Sequence, residues 1–586
     1  MKKENILFPI VMFLLISLAC NVPLFNNSPD ATQVAAEIYA TQTAQVPTAT
    51  RMPTKTPFPT PTPTPALSER LVGHQCITKY DRIDTHDEES TVSETYRLET
   101  VIEALDGENI LVEVSYRNSN GSFEDSQAWQ YSRNLRTGAV TVISEHGSTS
   151  LEEEVLVEAS DTELQFSFSY TYSNEEWQFD RNGTVVRDPD SYLIRSFMLQ
   201  EEIYDAEGNY WGTGQDEMTL VSCSSQPVMD INVDGSGVYA SLEEAIQAVS
   251  ADTTLWLSAG TFELDKTLLI DKPIHIFGSG SELTSITSAM PENGVLRFEG
   301  PGSFSLVDIT LEYAGTGASH VLTIQDGTGI DIQNSKFLGA VRDEDRNYGG
   351  SGILLLGDTT GLLKGNELFE NELHGIMVKD QSQVTIDLNY THQNGQTGIV
   401  LFDDSQGVVS RSSTEFNGLH GISATENAHV EIIDNFSREN EQVGIYIYGN
   451  ATGEIRNNAS QGNGRYGIAL GDRGYAEIYN NTLTDNGRSG MRFVENSGGI
   501  VEDNTIAYNS LHGIHLKDQT EARIENNYLY ENGEVGIFFS DSAAGVVISN
   551  EVYNNKWGVY IEEDTSPEFA NNVIYDNSSE NIHDDR

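Results

Sequence analysis

A Gly followed by an aliphatic residue returns every 23 positions along the C-terminal part of the chain. The series runs Gly352-Ile353, Gly375-Ile376, Gly398-Ile399, Gly421-Ile422, Gly444-Ile445, Gly467-Ile468, Gly490-Met491, Gly513-Ile514 and Gly536-Ile537, and Gly558-Val559 follows after 22. A second series lies 14 residues past each Gly, running from Asn366 to Asn550 with Ser412 as its one exception, and a third lies five further on, from Asn371 to Asn532. Three superimposed series with one period mark a solenoid.

The unit Gly513–Val535 shows what one repeat folds into. Ile514 and Leu516 alternate with His515 and Lys517, Ala522 and Ile524 alternate with Arg523 and Glu525, and Tyr528-Leu529-Tyr530 follows. Turn residues separate these three short period-2 runs, and there is no helical stripe. Three strands per unit, repeated, stack strand on strand in parallel register as a β-helix of roughly fifteen coils. Stacked Asn amides hydrogen-bond along such a column. A leucine-rich repeat has a similar period but needs several Leu and only one Asn per unit, so it does not fit.

The chain is 586 residues long, too long for one compact core. Its formal net charge of −56 repels nucleic acid and anionic membrane surfaces while permitting cations. Residues 1–20 read as a signal peptide: Lys2-Lys3, an apolar run from Ile6 to Ala19, then Cys20. Ser17-Leu18-Ala19-Cys20 resembles the lipobox of bacterial lipoproteins, with Ser17 where that family carries Leu. The resemblance implies lipidation of Cys20 and a cell-surface location. Residues 21–66 form an unfolded stalk, and its stretch Pro47–Pro65 holds seven Pro and seven Thr. Such a stretch spans about 60 Å as an extended spacer.

Residues 67–225 carry short alternating runs such as Ile110–Tyr116 and Leu164–Tyr170, separated by Asn120-Gly121 and Asn182-Gly183. They read as an antiparallel β domain, a sandwich or small barrel. Cys76 and Cys223 bracket it, and in a secreted chain they are expected to form a disulfide. Residues 226–586 make the β-helix. Its opening, with a turn at Asp234–Gly237, a short amphipathic helix capped by Ser241, and Gly260-Thr261-Phe262, resembles the first coils of the pectin-lyase-like superfamily. That resemblance implies a right-handed parallel β-helix and is nearly silent on chemistry. An insertion at Val341–Tyr348 lengthens one coil and is expected to project as a loop.

Residues one and three past each Gly read as core. Those two and four past should face water, yet they include Phe402, Tyr446, Tyr448, Arg492, His515 and Lys517. Such a face suits pyranose rings, which stack on aromatic side chains. Packing of the 67–225 domain over it is the competing explanation. Five past the Gly runs a carboxylate row: Asp380, Asp403, Asp472, Glu495, Asp518 and Asp541, with Asp404 adjacent. It suits either turns or a cation such as Ca²⁺. His374, His420 and His512 each precede a repeat Gly and read as structural.

These features point to a monomeric surface lipoprotein that binds an extracellular polysaccharide and requires no cofactor. The alternative is a non-catalytic adhesin or scaffold. Whether the polymer is also processed stays open. If it is, the superfamily implies hydrolysis by Asp380, Asp403 and Asp404, or lyase or epimerase chemistry with Arg492, His515 and Lys517. A periplasmic metal-maturation role is a remoter reading, opposed by the lack of Met/His/Cys clusters.

Overall fold

The computed structural model describes the strands between residues 75 and 224, and residues 228–586 apart from 292, 293 and 347. The expected signal peptide with Cys20 and the expected stalk of residues 21–66 lie outside the described residues. The chain divides into two units, Met1–Ser225 and Gln226–Arg586.

In the first unit the described strands form a single 11-stranded antiparallel sheet. In place of the expected sandwich or small barrel, the described strands join in one sheet, because two runs of sequence-adjacent hairpins are fused through the pairing of the first strand with the last. The first strand, Gln75–His86, pairs on one side with Ser90–Ala104 and on the other with the last, Tyr210–Ser224. The two ends of the domain therefore meet at mid-sheet, with Cys76 directly opposite Cys223.

The second unit is a parallel solenoid of about fifteen coils, built from three sheets of 15, 14 and 14 strands among the described residues. The helix Leu242–Ala248 covers the first coil with Leu242, Ala245 and Ile246 buried. Ser241 Oγ accepts from the Glu244 N–H at 3.2 Å while Glu244 Oε2 accepts from the Ala240 N–H at 2.9 Å, a capping box displaced by one residue. Each 23-residue coil contributes a first strand after the repeat Gly, a longer second strand and a third. Ile514–Leu516, Glu521–Glu525 and Tyr528–Tyr530 are one such set. Register passes from coil to coil without slippage in this region: Ile514 pairs with Ile537, Ile524 with Val547 and Leu529 with Val552. Side chains one and three past each Gly fill a continuous core. From Ile353 and Leu355 to Ile537 and Phe539 these positions have no exposed surface. Full burial of each such side chain contributes roughly 2 kcal/mol.

The turns explain the Asn series. A residue in the left-handed region, such as Asn480 (φ 56°), reverses the chain, and the next residue, Asn481, points inward. Its amide donates to the carbonyls of Ile455 and Tyr479 at 2.8 and 3.0 Å and to Asn504 Oδ1 at 3.0 Å. Backbone groups that the turn would leave buried and unpaired are satisfied in this way. The repeat Gly belongs to the other turn, between the third strand and the next first strand, beside the third Asn series. A Cβ on Gly513 would meet the Gly536 carbonyl oxygen at 2.6 Å and the Asn532 amide at 3.1 Å. The insertion forms a two-stranded hairpin, Arg342–Asp343 against Tyr348–Gly349.

Candidate functional site

The first-strand sheet presents the positions two and four past Gly on its outer side, away from the core. They are less open than alternation alone predicts. Val400, Ser423 and Ala469 are buried, and of the ring residues Phe402, Tyr446, Tyr448, Phe538 and Tyr560 only Tyr448, 39% exposed, counts as exposed. Parallel stacking sets each ring against its neighbour about 5 Å away, so the rings cover one another. His420 and Tyr446 lie 4.8 Å apart, Tyr446 and Tyr448 5.6 Å, and His515 and Phe538 4.5 Å.

Arg492, His515 and Lys517 come together on this face. Arg492 and His515 are opposed on adjacent first strands. A guanidinium only donates, so its Nη1 contact leaves His515 Nδ1 as acceptor, and Nε2–H donates to Ser540 Oγ at 2.9 Å. Ser540 Oγ in turn lies 3.4 Å from Asp541 Oδ2. Lys517 Nζ sits 3.1 Å from Asp518 and 3.4 Å from Asp541. Burial, then the charges of Arg492, His512 and Lys517, pushes His515 down to about 2. An imidazole so weakly basic is a poor proton acceptor near neutral pH. Burial also lowers Arg492, whose guanidinium lies 5.9 Å from the Tyr466 ring. Among the described residues no carboxylate lies within ion-pair distance of Arg492.

Phe402 sits 6.1 Å from the His374 ring and 5.8 Å from Lys379 Nζ. The carboxylate row is a row of turns. Asp380, Asp403, Glu426, Asp472, Glu495, Asp518 and Asp541 all have φ between 55° and 66°, and Gly449, at 74°, fills the one gap. Asp380 Oδ2 accepts from the Gly357 N–H at 2.8 Å, Asp403 Oδ2 from Asp380 at 3.1 Å and Asp518 Oδ2 from Glu495 at 3.3 Å. Glu495 takes the Asp472 N–H, and Asp541 donates its own to Glu562 at 3.0 Å. Asp404 accepts from the Asn427 amide at 2.9 Å. Burial works to raise Asp403, but the Asp380 N–H, Glu426 and Lys379 outweigh it and hold the carboxyl low. Its partner Glu426 is raised, chiefly by the hydrogen bond to Asp403.

The histidines preceding the repeat Gly are packing residues. His374 Nδ1 accepts from the Thr397 N–H at 3.3 Å, and burial pushes this ring down to about 3. A feature not anticipated from the sequence lies on the outer side of the third-strand sheet, where Tyr530, Tyr553 and Tyr575 stack in consecutive coils. Their spacing of 23 and then 22 residues is the repeat period itself, and was legible in the chain.

Two families match within the solenoid. Residues 319–483 match the family described as right-handed beta helix region, and residues 421–585 match the periplasmic copper-binding protein family NosD. No curated relative matches the chain. Among solved structures, a double mutant of the periplasmic alginate epimerase AlgG is 12% identical over 59% of this chain and 83% of its own, with a TM-score of 0.39. The catalytic unit of an α-1,3-glucanase from Streptomyces thermodiastaticus is 13% identical over 75% and 91%, TM-score 0.37. The A-module of the Azotobacter vinelandii mannuronan C-5 epimerase AlgE6 is 14% identical over 61% and 100%, TM-score 0.33.

The side chains do not fit a copper ion. Among the described residues no three His, Cys, Asp or Glu are grouped to hold a metal. Within 421–585 the rings of His512 and His515 lie 5.0 Å apart, and there the Arg492 guanidinium already occupies Nδ1 of His515. The three parallel sheets, together with the family match along 319–483, make the solenoid a right-handed parallel β-helix.

Proposed function

We propose that this chain is a lipid-anchored surface protein that binds an extracellular polysaccharide along the first-strand face of its solenoid. The observation that carries the reading is Arg492: a half-buried guanidinium with no carboxylate within ion-pair distance among the described residues, set beside Tyr466 and His515. A cation kept in such surroundings without a counter-ion is suited to an anionic or hydroxyl-rich group brought by a ligand. Tyr446 and Tyr448, two coils back along the column, add ring surface for the same polymer. The weak basicity of His515 and the backbone duties of Asp380 and Asp403 favour binding over catalysis. In this reading the lipidated Cys20 and the Thr/Pro stalk hold a monomeric solenoid away from the membrane, and a Cys76–Cys223 disulfide closes the intervening sheet. The carboxylates of the row are taken up as turn acceptors, and among the described residues no side chains are grouped for copper.

A glycan array with the full mature chain, paired with a reducing-end release assay, tests this. The expected result is retention of a polymer without product, lost in Arg492→Ala and weakened in the Tyr446→Ala, Tyr448→Ala double variant. Retention of no glycan would leave the adhesin or scaffold reading in its place, and release of reducing ends would make the chain an enzyme.

A further inference from the structure

The third-strand sheet carries a second aromatic surface that the first-strand reading does not use. Ala507, Tyr530, Tyr553 and Tyr575 occupy one row in register across four coils. The Tyr530 and Tyr553 rings lie 5.1 Å apart and those of Tyr553 and Tyr575 5.2 Å, each pair 11° from parallel. Tyr508 meets Tyr530 edge-on at 5.6 Å. Tyr528 stands in the neighbouring row, beside Glu551 on the next coil. Tyr508, Tyr528 and Tyr575 are 54%, 50% and 37% exposed, while Tyr530 and Tyr553 between them are half-buried. Tyr508 takes the left-handed turn slot at φ 58°, which Asn554 occupies two coils on. Placing a large ring there costs about 1 kcal/mol, and packing in the core gives no return for it.

The charge around the strip is negative. Glu531, Glu551 and Asp576 border it, and among the described residues none of the three pairs with a Lys or Arg. Tyr575 Oη donates to Glu551 at 2.8 Å, and that bond helps push the phenol up to about 12. Stacking covers the faces that Tyr530, Tyr553 and Tyr575 turn to one another. The groups left open beside the strip are the carboxylates and the exposed Tyr508 and Tyr528 rings, acceptors and ring surface suited to ammonium groups.

We propose that this tyrosine strip binds a polysaccharide bearing protonated amino groups, laid along the solenoid axis with its sugars in step with the coils. A polyanion is repelled by the border acids and by the chain's net charge of −56. A second copy of the strip would set Glu531, Glu551 and Asp576 against themselves. An extended basic peptide repeats its same-side residues about every 6.7 Å, out of step with rings 5.1 to 5.2 Å apart.

The test is calorimetric titration of the full mature chain with short β-1,4-linked glucosamine oligomers at mildly acidic pH, at low and high salt. The N-acetylated oligomers and a polyuronate are run beside them. Binding of the free-amine oligomer is expected, weakened by salt and reduced about tenfold in Tyr530→Ala with Tyr553→Ala. Glu551→Gln is expected to remove most of the salt dependence, and Tyr530→Phe with Tyr553→Phe, which keeps the stack, to retain most of the affinity. Arg492→Ala and Tyr446→Ala leave this binding unchanged, which separates it from the first-strand reading. Equal binding of the acetylated oligomer, no binding of either, or loss of binding only in the first-strand variants overturns the proposal.

Discussion

The side-chain oxygen of Asn481 accepts two hydrogen bonds from Asn458 one coil earlier, from its backbone N–H at 2.9 Å and from its side-chain amide at 3.0 Å. Both residues are buried. Each amide therefore satisfies the coil before it and donates to the coil after it. Asn481→Ala would orphan the Asn458 N–H and two or more acceptors, at about 3 kcal/mol. Asn481→Asp should be worse near neutral pH, because a buried carboxylate would then face the carbonyls of Ile455 and Tyr479 and the oxygen of Asn504. The expected order of thermal midpoints is wild type, Ala, Asp, with the Asp variant partly recovering as pH falls. An Asp variant as stable as wild type at neutral pH would remove the ladder from its structural role.

The carboxylate row answers to a similar substitution test. If Asp403 and Asp518 act by holding left-handed turns and accepting a backbone N–H from the preceding coil, an amide can do the same work. Asp403→Asn and Asp518→Asn should then melt within about 0.5 kcal/mol of wild type, while the Ala variants lose about 1–2 kcal/mol through turn strain and an unpaired donor. A cation site would behave differently: Asn would be as damaging as Ala, and a chelator would lower the wild-type midpoint.

Much of this column could be read from one-dimensional spacing, because a solenoid converts period directly into contact. Gly513, Asn527 and Asn532 each mark a turn whose geometry only one or two residue types satisfy. Ser241 marked the cap for the same reason. The environment of the outer face was not legible. Alternation says that Val400 and His515 point away from the core, but their burial depends on rings contributed by neighbouring coils. The acids at Asp380 and Asp403 could be read as turn residues or as cation ligands because their sign and spacing were visible while their φ was not. The tyrosine strip escaped because only three members share a row, against nine or more in the Gly series.

In the N-terminal sheet, the pairing of Cys76 with Cys223 makes a specific chemical expectation. Directly opposed residues of antiparallel strands have Cα atoms about 4.5–5.5 Å apart, inside the range a disulfide spans. Non-reducing peptide mapping of the protein, prepared without reductant, is expected to recover one linked peptide containing both cysteines. Cys76→Ser should lower the domain's midpoint as much as the double variant does. Two free thiols in protein prepared without reductant would dismiss the bond.

The buried imidazoles set the acid limit of the solenoid. Burial pushes His320, His420 and His512 down to about 4, His374 to about 3 and His515 to about 2. Positive neighbours reinforce the effect: Arg342 at His374, Arg465 at His420 and Arg492 at His515, with Glu534 opposing it at His512. In the unfolded chain the same rings titrate near 6.5. Above that pH both states are neutral and the histidines leave stability unchanged. Below it the unfolded chain takes up protons that the native column refuses, so stability falls as pH drops from about 6.5 toward the native values. Each ring still neutral in the native state contributes a slope of about 1.4 kcal/mol per pH unit. Far-UV circular dichroism melts are therefore expected to shift steeply downward through mildly acidic pH. His374→Gln, which can still accept the Thr397 N–H, together with His515→Gln, should flatten that dependence. An unchanged slope in the double variant would show that these rings are not the groups that titrate on unfolding.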